Sequence, residues 1–225
     1  MKTRSRFEIG MVLAVAAPLV VGGVATSFAE LNVFSAGSPT VEGRFAALEA
    51  GSYRAGPSIL SKQLLLETCN EAIAGVYGRL QPTQERTTVL DRCRSYADGV
   101  VDQSPSLSFG WYVGALAAAS LGDMAGFNAR ILRSQRTGPS EQWVAELRVR
   151  LVETNFGSAD QAVLDRHAQD LRLLVRSPRG IASIAQRYVG DPSFRERVTQ
   201  IVETMSETDQ RRFVDTVRRA AAGAA

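Results

Sequence analysis

Pro105 and Pro139 stand 34 residues apart (139 − 105), and each opens a stretch of helical periodicity that carries a tryptophan, Trp111 in the first and Trp143 in the second. A spacing of that length fits one helix-turn-helix unit per period. Between the prolines, Trp111, Val113, Leu116, Ala117, Ser120 and Leu121 place apolar or small side chains at helical spacing. Gly122-Asp123 then breaks the helix, and Phe127, Ile131 and Leu132 resume the period. One pair of helices leaves apolar surface on both sides, so neighbouring helices must be supplied by the rest of the chain.

The flanking segments do read as helices. Ser58 sits where a cap belongs, ahead of SILSKQLLLETCNEAIAGVYGRL, in which Leu66, Cys69, Ile73, Val76 and Leu80 advance by 3, 4, 3 and 4 and so share one face. Pro82-Thr83 starts the next segment, where Val89, Cys93, Tyr96 and Val100 advance by 4, 3 and 4, and the two segments read as an antiparallel hairpin. Beyond the central unit, residues 143–153 form a helix ended at Asn155-Phe156-Gly157. Ser158 is the expected cap of a helix carrying Ala162, Val163, His167, Leu171, Leu174 and Val175 on one face as far as Ser177-Pro178. Helices over residues 181–188, 193–205 and 206–219 follow, and residues 220–225 are expected to fray. No strand signal follows residue 57. The expectation is an all-α fold in which antiparallel hairpins stack as a right-handed solenoid over residues 58–219.

Cys69 and Cys93, the two cysteines, lie on the apolar seams of the first hairpin, each 12 residues from Gln81 at its turn (81 − 69 and 93 − 81). Residues equidistant from an antiparallel turn meet at one level, which makes a disulfide feasible if the Cα atoms come within about 7 Å. Two buried free thiols packing as small apolar groups are the alternative. Two sulfurs with no local histidine leave a zinc site two ligands short, so no metal or other cofactor is expected.

The N-terminus sets the compartment. Residues 1–8 carry Lys2, Arg4 and Arg6, and residues 9–29 carry no charge at all before Glu30. A run of this length reaches the roughly 20 residues a helix needs to cross a bilayer. The positive flank orients the rest of the chain to the far side, the periplasm of a bacterial cell. The run is longer than the 7 to 15 residues usual for a signal-peptide core, which favours an uncleaved inner-membrane anchor. Ser27-Phe28-Ala29 leaves cleavage after Ala29, with release of a soluble periplasmic protein, as the alternative. Residues 30–57, rich in glycine and proline, read as a linker enclosing one short helix near Phe45.

The charge pattern excludes some functions. The net charge is +3, but the basic residues interleave with Asp and Glu along residues 141–219. A nucleic-acid surface concentrates them on one stripe with aromatics between, so no nucleic-acid partner is expected. His167, the single histidine, has no second histidine or cysteine nearby and reads as a helix residue, not a catalyst or ligand. No Asp or Glu lies in an aromatic or glycine-rich context suited to acid catalysis, which leaves a helical glycan-processing enzyme as a minor alternative. No catalytic residue is therefore assigned. Arg130, Arg133 and Arg136 recur every three residues and form a partial basic stripe, suited to an acidic surface or to simple solvation.

The Trp111 helix, the Leu121-Gly122-Asp123 turn, the helix with Phe127 and the closing Pro139 resemble a tetratricopeptide repeat. Phe127 departs from that pattern, standing where the family carries a small alanine. More narrowly, LSFGWYVGALAAASLGD and LRSQRTGPSEQWVAELRVRL, within residues 93–151, resemble small helical proteins of bacterial exopolysaccharide and O-antigen machinery, which have an N-terminal membrane segment and an extracytoplasmic repeat region. The resemblance implies a non-enzymatic scaffold that binds a protein partner in the cell envelope. It places Phe109, Tyr112, Leu116 and Ser120 towards a concave groove, with Arg130 and Arg133 as further candidate contacts. Core packing is the alternative for Phe109, Trp111 and Leu116, and Tyr112 is the side chain of this set expected to be exposed.

Overall fold

The computed structural model describes residues 2–37 and 39–222, with side chains described over residues 11–37, 39–220 and 222. Among these residues every regular element is helical and there is no strand: α1 (Lys2–Ser35), α2 (Val41–Ala50), α3 (Ile59–Ala74), α4 (Val76–Arg79), α5 (Thr83–Gln103), α6 (Ser108–Ser120), α7 (Met124–Thr137), α8 (Gln142–Thr154), α9 (Gln161–Leu174), α10 (Pro178–Gly190), α11 (Pro192–Glu203) and α12 (Glu207–Ala222). The expectation for residues 220–225 falls largely outside the described residues, and α12 continues to Ala222. The chain divides into two compact units, Met1–Arg92 and Cys93–Ala225, with the boundary inside α5.

In the first unit α1 carries an apolar stretch, Met11–Ser35, long enough to cross a membrane and with none of it buried in the fold over its most apolar window. The helix does not stop where a linker was expected. It runs on to Ser35, where Val33 is buried and the Asn32 side chain accepts from the Arg54 N–H at 2.6 Å. Phe45, Leu48 and Tyr53 from the expected linker enter the core with Leu65 and Leu66, so this part of the chain is packed. Ser58 caps α3 as expected, accepting from the Ser61 N–H at 3.0 Å.

The continuous face expected from Leu66 to Leu80 is broken. Leu66, Cys69 and Ile73 are buried, but Val76 and Leu80 are 65 % and 77 % exposed. Gly75 is extended (φ −69°, ψ 157°) and starts the separate turn α4, so the helical register is lost there. Gly78 permits the tight approach that follows, since a Cβ at this position would lie 1.7 Å from the Ala72 carbonyl oxygen. Cys69 and Cys93 are both disulfide-bonded and no cysteine is free. Closing the intervening loop stabilises a chain by about 3 kcal/mol in the loop-entropy picture.

In the second unit α6 and α7 form the antiparallel pair read from the Trp111 segment. Gly122, with φ +80°, makes the turn, and Asp123 caps α7 by accepting from the Gly126 N–H at 2.8 Å. The 34-residue spacing reappears in the helix starts, Ser108 and Gln142 (142 − 108), each three residues after its proline. Phe109 and Trp143 consequently occupy equivalent positions, and their rings meet with centroids 4.8 Å apart. The second helices do not keep the period, since α7 and α9 begin 37 residues apart (161 − 124). A single 3-10 turn, Phe156–Ser158, intervenes, held by Asn128, whose side chain donates to the Ser158 carbonyl and accepts from the Asp160 N–H, both at 2.9 Å. Ser158 therefore belongs to the connector, and Asp160 takes the cap position expected of it. Beyond α9, Ser177-Pro178 and Asp191-Pro192 start α10 and α11 with a capping side chain followed by proline at the first helical position. Leu171, Leu174, Ile181, Ile184, Phe194, Val198 and Phe213 form the core of this end.

Candidate functional site

Helices α8 and α9 run antiparallel and carry polar residues on the faces they bury. On α8, Arg148 is 0 % exposed among Val144, Ala145, Val149 and Val152. Its Nε and Nη2 donate to the two carboxylate oxygens of Asp170 on α9 at 2.9 and 2.5 Å, and its Nη1 and Nη2 also donate to the Ser134 and Gly138 carbonyls at 3.3 and 3.1 Å. Ser134 in turn donates to the Ser108 carbonyl at 2.9 Å. The guanidinium thereby ties α8 and α9 to the end of α7, and through it to the start of α6.

Five residues further along α8, Glu153 is buried with its carboxylate facing His167 on α9, Nε2 to Oε1 at 2.6 Å. Arg197 on α11 donates through Nε to the same oxygen at 3.3 Å and through Nη2 to the other. Arg187 on α10 donates to the Glu153 backbone carbonyl at 3.1 Å. Burial pushes the Glu153 carboxyl pKa up, but the hydrogen bonds and positive charge of His167 and Arg197 outweigh this and hold it below the ordinary glutamate range. Because an ionised carboxylate only accepts, Nε2 of His167 is assigned the proton. Its other nitrogen, Nδ1, is buried without a hydrogen-bond partner.

His167 also lines an open cleft of ≈ 250 Å³ between α9 and α11. Leu164, Ala168, Leu171 and Ile201 give it an apolar wall, and Arg172, Arg197 and Gln200 bring polar groups. The Arg197 guanidinium lies 4.1 Å from the centre of the Phe156 ring, which also lines the cleft. The lining carries imidazole and guanidinium groups but no hydroxyl, thiol or amine nucleophile. Such an arrangement can hold a small ligand by hydrogen bonding and charge.

The side chains singled out as partner contacts do not converge. Phe109 is buried, with its ring stacked on Tyr112 at 5.9 Å. Tyr112 is 3 % exposed, which corrects the expectation that it faces outward, and this burial pushes its phenol pKa up. The reason is that α6 is apolar all round, so a position 100° from Trp111 still meets packed neighbours. Trp111 itself is half-buried, donating its indole N–H to the Pro105 carbonyl at 2.8 Å. Ser120 is half-buried at the end of α6. Arg130 is held by Asp98 through Nε and Nη2 at 3.0 and 2.8 Å, over Gly114, where a Cβ would lie 2.9 Å from the Arg130 Cδ. Arg133 and Arg136 are exposed, so the basic stripe is reduced to these two.

Sequence reasoning passed over Arg148, Glu153, Asp170 and Arg197. A signal was present for the first three: each falls at helical spacing inside an apolar stripe, where a charged side chain needs a partner. Arg197 had none, because its role depends on α11 lying against α9. No known protein family, no curated protein and no solved structure matches the chain.

Proposed function

We propose that the protein is a single-span membrane protein whose folded part lies outside the cytoplasm and acts, without catalysis of its own, as a scaffold for a protein partner. The observation that supports this most is α1, whose most apolar window within Met11–Ser35 stays uncovered by the fold, while the same unbroken helix carries Asn32 and Val33 into packed structure. Lys2, Arg4 and Arg6 precede it, favouring a cytoplasmic N-terminus, and a disulfide suits an oxidising compartment. Helical continuity through Ala29-Glu30, with the Glu30 carboxylate accepting from the backbone N–H and the hydroxyl of Ser58, favours an anchor over a cleaved signal peptide. In this reading the hairpins form a right-handed, tetratricopeptide-like stack. By the resemblance of residues 93–151, its partner belongs to envelope or extracellular polysaccharide assembly or export.

Intact mass spectrometry of the protein extracted from membranes, without and with reductant, tests the anchor and the bond. The full-length mass, rising by two hydrogens on reduction, is expected; a mature start at Glu30 overturns the anchor and leaves a soluble periplasmic protein. Crosslinking in intact cells, with identification of the captured protein, tests the scaffold role. Capture of no envelope component overturns it.

A second reading rests on the cleft. The apolar wall and Arg172, an exposed cation with no ion pair among the described residues, together suit a small carboxylate with a short apolar body. Because His167 is the only histidine, its imidazole NMR signals report on the cleft alone. Titration with butyrate and hexanoate should shift them saturably in the wild type and more weakly in Arg172→Gln. Equal, non-saturating responses in both overturn this reading.

A further inference from the structure

Glu30 is the first charge after the apolar run of α1, and it is joined to the start of α3. Its two carboxylate oxygens accept from the Ser58 backbone N–H at 2.7 Å and from the Ser58 hydroxyl at 2.5 Å. The Gly56 backbone lies against the same residue, since a Cβ there would stand 2.9 Å from the Glu30 Cα. The N-terminal end of α3 is therefore level with the end of the charge-free run. The next two residues of that helix, Ile59 and Leu60, are 53 % and 60 % exposed, and Phe28 and Leu31 on α1 are equally uncovered.

We propose that these side chains form a seat on the membrane surface: the bilayer that holds α1 also receives Ile59 and Leu60 in its interfacial layer. The proposal rests on the reading of α1 as an anchor. Residues 9–29 span 21 positions (29 − 9 + 1), and at about 1.5 Å per residue this is about 31 Å, matched to a hydrocarbon core of about 30 Å. Glu30 then comes at the boundary between acyl chains and headgroups, where a carboxylate is tolerated. Ile59 and Leu60 lie one and two residues beyond the serine that Glu30 holds, so they meet the same boundary. Large apolar side chains next to a span gain by entering that layer and would otherwise remain in water. With Asn32 also bonded to Arg54, the first unit is mounted on the bilayer by packed structure and not by a flexible tether.

The test uses the full-length, disulfide-bonded protein in vesicles of phosphatidylcholine and phosphatidylglycerol, with a nitroxide attached to Val20→Cys or Leu60→Cys; the native cysteines, being bonded, do not react. Collisions with oxygen, which concentrates in lipid, are compared with those of a water-soluble nickel chelate. Oxygen is expected to dominate at both positions. Oxygen at residue 20 with the chelate dominating at residue 60 overturns the seat and leaves the anchor standing. The chelate dominating at both positions overturns the anchor reading and the seat with it. Leu60 is exposed, so the substitution does not disturb the core. Ile59→Cys, labelled in the same way, gives an independent reading of the seat.

Discussion

Two buried polar rungs join α8 to α9, with the carboxylate on opposite helices: Arg148 to Asp170 in one, Glu153 to His167 in the other. They are alike in burial and differ in closure. The first is finished by the protein itself, because the guanidinium meets both carboxylate oxygens and two backbone carbonyls in the interior. The second borders a cleft, draws the Arg197 guanidinium from α11 and leaves one imidazole nitrogen without a partner. A closed rung holds helices together; an open one, with unmet hydrogen-bonding capacity beside a cavity, is where a ligand has something to gain.

The comparison breaks most severely at the closed rung. Arg148→Met should lower stability by about 3 to 5 kcal/mol, since it leaves Asp170 ionised and buried without its counter-charge. The urea midpoint measures this. The double variant Arg148→Met with Asp170→Leu should recover most of the loss, because an apolar pair of similar volume removes both desolvated charges. A double variant no more stable than the single one would show that the contacts to Ser134 and Gly138 outweigh the ion pair.

At the open rung the effect should be smaller and dependent on pH. Glu153→Gln should cost about 2 kcal/mol at neutral pH, since the amide keeps a hydrogen bond but loses the charge that His167 and Arg197 face. The Glu153 pKa is lowered in the folded state, so its stabilisation is present above the ordinary glutamate value and disappears as pH falls through the lowered one. Unfolding curves of wild type and variant should therefore converge on acidification below the ordinary glutamate range, near pH 4. A gap that stays constant would assign the effect to packing. His167→Phe should cost about 1 kcal/mol, since Arg197 still holds Glu153 and the unpartnered nitrogen is removed with the ring. The smallest effect belongs to a third ionic contact of α8, Glu146 with Arg179, at 3.4 Å and with the arginine largely in solvent. Arg179→Ala should leave the midpoint unchanged within error.

Much of the helical order was legible because it depends on local signals. Ser58 as a cap, Gly122-Asp123 as a helix break and Ser177-Pro178 as the end of a helix each act within a few residues of themselves, and each is found in the structure, although the next helix starts at Pro178 itself and not at residue 181. The face from Leu66 to Leu80 reads as continuous in the sequence because periodicity alone does not register the extended Gly75 that interrupts it. Tyr112 is buried where its sequence position suggests exposure, because neighbours from elsewhere in the chain decide which side of an all-apolar helix is covered. The glycines and prolines of residues 30–57 give it the composition of a linker, but its apolar side chains Phe45, Leu48 and Tyr53 enter the core of the first unit.

By itself the sequence determined the all-helical character, the uncharged N-terminal run, the 34-residue spacing of the α6 and α8 starts and the position of both cysteines on apolar seams, since these follow from periodicity, charge and chain-local geometry. Only the tertiary structure decided that Glu153, His167 and Arg197 meet beside a cleft, that Arg130 is held by Asp98, and that Glu30 at the end of the apolar run is joined to Ser58. Each of these contacts joins residues 14 to 44 positions apart. Their pairing depends on how helices pack, which no local pattern encodes.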